Sequence, residues 1–373
     1  MKLSPNREDG SSRYRYTKTA ILRHMFLAPD GMVTKQRTAR RGFTLVELLV
    51  SMTILIVLGA VILQILSATT KATLYSYKHM DTDTQARTVF DRMAIDFGRM
   101  VIRKDVDYYI KQAVASSVPT GATGYPDQYK AVNAELATAG VPGNDQIAFY
   151  SEVPGYYPAT GTTSAQSQLS LAAYRINADA TSTRYNTMER LGKGLVWTST
   201  SNTNIANGID VPIVFYPTTL ATIWPQAASA TATDSNNDYE AIGPEVFRFE
   251  YYYNLKKSTS STLTNFLSNT PWDSTLTNHT SLNGWQDVAS ITVVIAVVDS
   301  RTRPLLTQNQ ITTLAGNMVD FDSTNTRTWT PGQLESSWRT AIQTAITQNA
   351  ISAPLATHIR VYSRTFYLNT PTP

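Results

Sequence analysis

The 373-residue chain contains no cysteine, so disulfide staples, thiolate metal sites and cysteine nucleophiles are excluded, and the fold must stand on packing alone. Charge is sparse as well: Asp, Glu, Lys and Arg make up 16% of the residues, which argues against a disordered polyelectrolyte. Histidine occurs only at positions 24, 79, 279 and 358, with no HExxH and no ligand cluster. G-x-S-x-G is missing, and Gly192-Lys193-Gly194 lacks the spacing of a phosphate-binding loop. We therefore expect no enzyme. Proline is absent between Phe43 and Val118, so nothing there breaks a helix.

The net charge of +4 is unevenly placed. Residues 1–42 hold ten Lys and Arg against three acids, and the remainder holds 22 basic and 25 acidic side chains. Removing the first 42 residues thus reverses the sign, and a nucleic-acid partner suggested by the pI of about 9.0 loses its basis.

Residues 43–66 read FTLVELLVSMTILIVLGAVILQIL, nearly unbroken apolar character. At 1.5 Å per residue this run is long enough for the ~30 Å hydrocarbon core of a bilayer. Lys35, Arg37, Arg40 and Arg41 precede it, and the positive-inside rule keeps that flank cytoplasmic and sends everything after Leu66 outward. A secretory signal peptide would carry a small-residue cleavage site after the run, and Gln64-Ile65-Leu66-Ser67-Ala68-Thr69 continues instead into a helical pattern. Glu47 is out of place in a plain anchor, because a carboxylate at the middle of a membrane helix costs about 2.5–3.5 kcal/mol, and somewhat less near its end.

Arg41-Gly42-Phe43-Thr44-Leu45-Val46-Glu47-Leu48-Leu49 resembles the prepilin N-terminal cleavage and methylation motif. The resemblance implies cutting between Gly42 and Phe43 by a membrane aspartyl peptidase on the cytoplasmic side, and N-methylation of Phe43. It also makes Glu47 the fifth mature residue, with a role in filament assembly. Its carboxylate would neutralise the new amine of a neighbouring subunit inside an apolar bundle. The implied partners are the prepilin peptidase/methyltransferase, other pilins or pseudopilins, and the inner membrane; no nucleic acid is among them. Met25 and Met32 both lie within the long leader, and a start at Met32 would leave a short basic one, with residues 1–31 as an extension.

Beyond the apolar run, Ala86, Val89, Phe90, Met93, Ala94, Phe97, Met100 and Val101 form one stripe at spacings of three and four, which predicts an amphipathic helix to about residue 103. Arg87, Asp91, Arg92, Asp96, Arg99 and Arg103 take the opposite, solvated face. Gly59 and Gly98 are its weak points. The period then changes. Strands are predicted at 146–153, 169–177, 194–198, 211–216, 245–254, 290–299 and 357–368. In the fifth, Phe247, Phe249, Tyr251 and Tyr253 face the core while Val246, Arg248, Glu250 and Tyr252 alternate outward, the pattern of a half-buried strand. Thr330-Pro331-Gly332-Gln333 has the form of a capping box that opens a second helix with the stripe Leu334, Trp338, Ala341, Ile342, Ala345 and Ile346. Thr- and Ser-rich loops are expected at 119–143, 155–168, 227–237 and 256–283.

The fold class that follows is α+β and pilin-like, a long N-terminal transmembrane and spine helix packed on an antiparallel β-sheet domain. The divisions are a cleaved cytoplasmic leader (1–42), a transmembrane helix (43–66), an amphipathic spine (67–104) and an exported β-rich domain (105–373). The segments RTVFDRMAIDFGRM, VFRFEYY and VASITVVIAVVD resemble J-type minor pseudopilins and similar minor pilins, and the ending IRVYSRTFYLN is most similar to the Verru_Chthon cassette protein C group. This implies a minor subunit of a type IV pilus or a type II secretion-type filament; a membrane-anchored periplasmic display module is the alternative. No cofactor is expected. Asp234, Asn236, Asp238 and Glu245 stand at positions 1, 3, 5 and 12 of a calcium-loop pattern, but Tyr239 occupies the position that needs glycine and Pro244 disturbs the end, so a solvated loop is the favoured reading.

Overall fold

A computed structural model describes residues 42–102, 144–157, 165–196, 211–212, 239–257, 266–268, 284–321 and 329–368. The chain divides into two units, Met1–Ile65 and Leu66–Pro373. Helix α1 covers Leu45–Gly98 without interruption, Gly59 included. It ends at Gly98, the weak point expected from sequence and earlier than residue 103, because Met100 leaves the helix to bridge Ser151 of the first strand.

The described part of the second unit holds eleven strands: β1 (Gln146–Ser151), β2 (Gly155–Tyr157), β3 (Ala165–Ser167), β4 (Ser170–Ile176), β5 (Met188–Val196), β6 (Val211–Pro212), β7 (Tyr239–Gly243), β8 (Val246–Leu255), β9 (Leu267–Ser268), β10 (Val288–Val298) and β11 (Ile359–Tyr367). Helices α2 (Gln308–Asn317) and α3 (Gln333–Thr347) lie between the last two strands. Seven strands form one sheet in the order β1-β4-β5-β2-β3, with β6 and β7 also paired to β5; the other sheet runs β11-β10-β8-β9. Pairing is antiparallel except where β5 meets β2 and β6. The chain is therefore α+β, a long N-terminal apolar helix followed by antiparallel sheets, as its sequence predicts.

The stripe of α1 binds both sheets. Val89, Phe90, Met93 and Phe97 are buried. The Phe97 ring stacks on Phe149 of β1 at 5.0 Å and lies 5.2 Å from Phe366 of β11. Large aromatic side chains bury about 150–250 Å² each, so this contact carries much of the driving force. One member of the expected solvated face departs from it. Asp96 is 0% exposed and accepts hydrogen bonds from Arg190 of β5, Nε at 2.6 Å and Nη2 at 3.1 Å, and from the Tyr174 hydroxyl of β4. Burial, then the Asp96 carboxylate, push the Tyr174 hydroxyl well above its ordinary pKa, so it remains a donor. Asp91 does face outward, within 2.7 Å of Arg364.

β8 is buried on both faces, not one. Arg248, expected outside, is 0% exposed and lies 5.0 Å from the centre of the Trp338 ring of α3. It donates to the carbonyls of Phe249 (3.3 Å) and Met318 (3.2 Å), and to the Asp320 carboxylate. Glu250 accepts from the Phe321 amide at 2.9 Å, and Tyr252 stacks on Phe321 at 4.7 Å. The strand signal was right and the burial wrong, because alternation cannot foresee that 318–321 and α3 cover the polar face. The edge of β8 that β9 leaves uncovered is occupied by Asn144 and Asp145: the Asn144 side chain accepts from the Phe249 amide at 2.7 Å, the Asp145 carboxylate accepts from the Tyr251 amide at 2.9 Å, and the Asp145 amide donates to the Phe249 carbonyl at 3.0 Å. They act as a strand surrogate and close an edge that would otherwise template further pairing.

Other expectations shift. The expected loop at 155–168 contains β2 and β3, and that at 256–283 contains β9. The strand expected at 194–198 starts at Met188, since Gly192 and Gly194 masked its pattern. α2 was not foreseen; its capping box is Thr307 with Gln310. Thr330 to Gln333 is a turn with Pro331 second and Gly332 third, and the φ of +84° at Gly332 is one that glycine adopts freely. α3 starts only after it, and of its expected stripe Leu334, Trp338, Ile342 and Ala345 are buried while Ala341 and Ile346 are partly so. The loops at 119–143 and 227–237 and the rest of the strand at 211–216 lie outside the described residues.

Two outcomes follow. Asp96→Ala removes the two closest acceptors of the buried Arg190 guanidinium, leaving it as acidic partner among the described residues only the exposed Glu240 at 3.3 Å, and lowers unfolding stability by about 3 kcal/mol, measured by urea denaturation. Burial and the neighbouring Glu335 push the Tyr252 hydroxyl up to about 12 from an ordinary value near 10. The native state then holds this proton longer than the unfolded chain, so stability present below pH 10 is lost as the pH rises toward 12. Tyr252→Phe should flatten that alkaline loss in melting curves.

Candidate functional site

At its N-terminal end α1 is preceded by Gly42, Phe43 and Thr44 in non-helical conformation. The first helical hydrogen bond runs from the Leu48 amide to the Thr44 carbonyl at 3.2 Å. The Thr44 hydroxyl accepts from the Glu47 amide, also at 3.2 Å. Thr44 is thus the N-cap, and it satisfies one of the amides that a helix start leaves open. Glu47 stands at the third helical position, where a carboxylate gains about 0.3–1 kcal/mol from the helix dipole when exposed. Phe43 is 80% exposed, and no atom lies within 4 Å of a methyl built on Gly42. Gly42, Phe43 and Glu47 therefore fall within one accessible segment, the first two ahead of the helix and Glu47 in its first turn. Sequence reading missed Thr44, although Thr-x-x-Glu at 44–47 carries the capping signature.

From Leu45 to Leu66 the large apolar side chains lie open: Leu45, Ile54, Leu55, Ile56 and Leu63 are each more than 60% exposed. Among the described residues α1 is the one helix long and apolar enough to cross a membrane, and none of that window is buried. Each such side chain gains about 1.5–3 kcal/mol on leaving water. Such a surface calls for a lipid or protein cover. Ser51 and Thr53 return their hydroxyls to the Leu48 and Val50 carbonyls at 2.9 and 2.8 Å, so they add no unmet polar group.

The second unit, Leu66–Pro373, buries several charged side chains. Its buried ionic groups join elements: Asp96 with Arg190, Glu189 with Arg175 and Asn177, and Arg248 with Glu250 and Asp320. A cavity of about 310 Å³ lies between α1 and the turn after β10, with Asp81, Asp299 and Arg301 in its lining. Asp81 closes part of it by accepting from the Ser300 amide at 2.8 Å. Of the calcium-pattern residues, Asp234, Asn236 and Asp238 lie outside the described residues. Glu245 sits half-buried in the corner between β7 and β8, its pKa raised first by burial and further by Asp81 and Asp299, with Arg303 acting the other way. Among the described residues no three His, Asp or Glu side chains converge into a metal-holding group.

Comparison with known proteins agrees with the N-terminal geometry. The family described as the prokaryotic N-terminal methylation motif matches residues 37–63, which span the basic flank, the non-helical lead-in and most of the exposed apolar helix. This supports a prepilin-type protein, a precursor for the prepilin peptidase with a single-pass membrane anchor. No curated protein matches the chain.

The full chain should resist extraction from membranes at high pH, whereas a version lacking residues 43–66 should appear in the soluble fraction on the same immunoblot.

Proposed function

We propose that this chain is a minor structural subunit of a type IV pilus or type II secretion-type filament, made as a precursor and matured at Gly42–Phe43. The observation that carries this reading is the methylation motif at 37–63, set over an accessible, non-helical bond and a fully exposed apolar helix. Cleavage leaves Phe43 with a free amine at the membrane edge, which is then N-methylated. Glu47, one turn further on, supplies the counter-charge to the amine of a neighbouring subunit in the low-dielectric bundle, where an unpaired charge is expensive. The role is structural and not enzymatic. The large sheet region, exported to the periplasmic side of the inner membrane, suits a component used sparingly and not repeated along the filament. The motif at 37–63 favours assembly partners of the same helical kind, other pilins or pseudopilins. Calcium is kept only as a weak candidate at Asp234, Asn236, Asp238 and Glu245, and an absence of heat on calorimetric titration would dismiss it.

Mass spectrometry of the protein from native cells should find a mature chain beginning at N-methylated Phe43. Glu47→Ala should be cut normally yet drop out of sheared filaments by tenfold or more. Persistence of a leader-bearing chain refutes the maturation. Undiminished incorporation of the Glu47 variant refutes the assembly role and favours the display module, which needs the anchor alone.

A further inference from the structure

We infer that Thr44 is a positioning residue for leader removal: by capping α1 it fixes the helix start, and so keeps the Gly42–Phe43 bond outside the helix. The inference rests on the maturation reading above. It is carried by the bond from the Glu47 amide to the Thr44 hydroxyl and by the non-helical, exposed state of Gly42 and Phe43.

A helix start leaves four amides without intrahelical acceptors, here those of Thr44, Leu45, Val46 and Glu47. At the edge of an apolar phase, where water is scarcer, such groups are costly, and the chain itself offers two ways to satisfy them. One is a side-chain acceptor at the cap. The other is a further turn of helix, whose carbonyls, from residues 40–43, take up the open amides. That second route would draw the Gly42–Phe43 amide into helical geometry. Hydrolysis adds water across this amide: the C–N bond breaks, the hydroxyl stays on the Gly42 carbonyl carbon, and the leaving nitrogen takes a proton to become the Phe43 amine. An attacking water must reach that carbonyl carbon, which a helix encloses in its hydrogen-bonded backbone, so a helical bond has to unwind before it can be cut. Thr44 meets one of the four open amides, that of Glu47, and so weakens the drive toward the extra turn. Gly42 opposes the same turn through its low helix propensity, and its lack of a side chain leaves the carbonyl uncovered. Phe43 and Leu48 occupy the two positions of a hydrophobic staple, but both lie exposed, at 80% and 55%, so the cap rests on Thr44 and not on that packing. The short stretch from Gly42 to Leu48 thus encodes a place to stop winding as well as a place to cut.

The test is pulse–chase of the full-length chain in cells that express a prepilin peptidase, with leader-bearing and mature forms separated by mass spectrometry. Thr44→Val keeps the branched shape and removes the acceptor; it should slow conversion about fivefold, the factor expected from loss of a cap. Thr44→Ser and Thr44→Asp restore an acceptor and should return conversion to near the wild-type rate, while membrane-inserted precursor stays equal in all four. Conversion of Thr44→Val at the wild-type rate, or Ser and Asp variants as slow as Val, overturns the inference while leaving the maturation reading intact. A wild-type chain not cut between Gly42 and Phe43 overturns both.

Discussion

The sheet-bearing region is organised by one constraint, the need of the α1 stripe for a cover wide enough to take Val89, Phe90, Met93 and Phe97 at once. A single small sheet would leave part of it wet. Here β1 and β4 of one sheet and β11 of the other converge on Phe97, so helix packing also fastens the two sheets together. The buried pair of Asp96 with Arg190 sits beside this contact and sharpens it. An ion pair under cover adds little net energy, but it penalises any helix rotation or slip that separates the charges.

The same economy shows elsewhere. Without disulfides, the second face of β8 is closed by side chains and backbone of distant segments: Trp338 over Arg248, Phe321 on Tyr252, and Asn144 with Asp145 along the edge. The Trp338 indole itself donates to the Val319 carbonyl at 2.8 Å, so residues 318–321 are held both by α3 and by β8. Each contact joins residues far apart in sequence, which makes the fold cooperative and slow to nucleate.

Periodicity made much of this legible. Most of the α1 stripe and of the α3 stripe is buried as the spacings of three and four required, with Ala94, Val101, Ala341 and Ile346 only partly covered, and β8, β10 and β11 lie close to the runs of branched and aromatic residues that announced them. What escaped was context. Asp96 reads as one more charge on a polar face, because its partner stands 94 residues later in a strand whose start is disguised by glycines. Arg248 and Glu250 read as solvent-facing for the same reason. The short strands β2, β3, β7 and β9 have too few residues to show alternation; β2 and β7 pair with β5, β3 with β2, and β9 with β8. At the N-terminal site the lettering around Gly42, Phe43 and Glu47 was plain, yet the capping role of Thr44 was hidden by its membership in a longer and better-known pattern.

Phe366, near the far end of the sequence, lies 6.2 Å from Phe90 and 5.2 Å from Phe97. The first helix is thus sealed by the last strand. A chain made from its N-terminus therefore keeps one flank of that greasy ridge open until nearly its whole length has been synthesised, since the strand that seals it comes last.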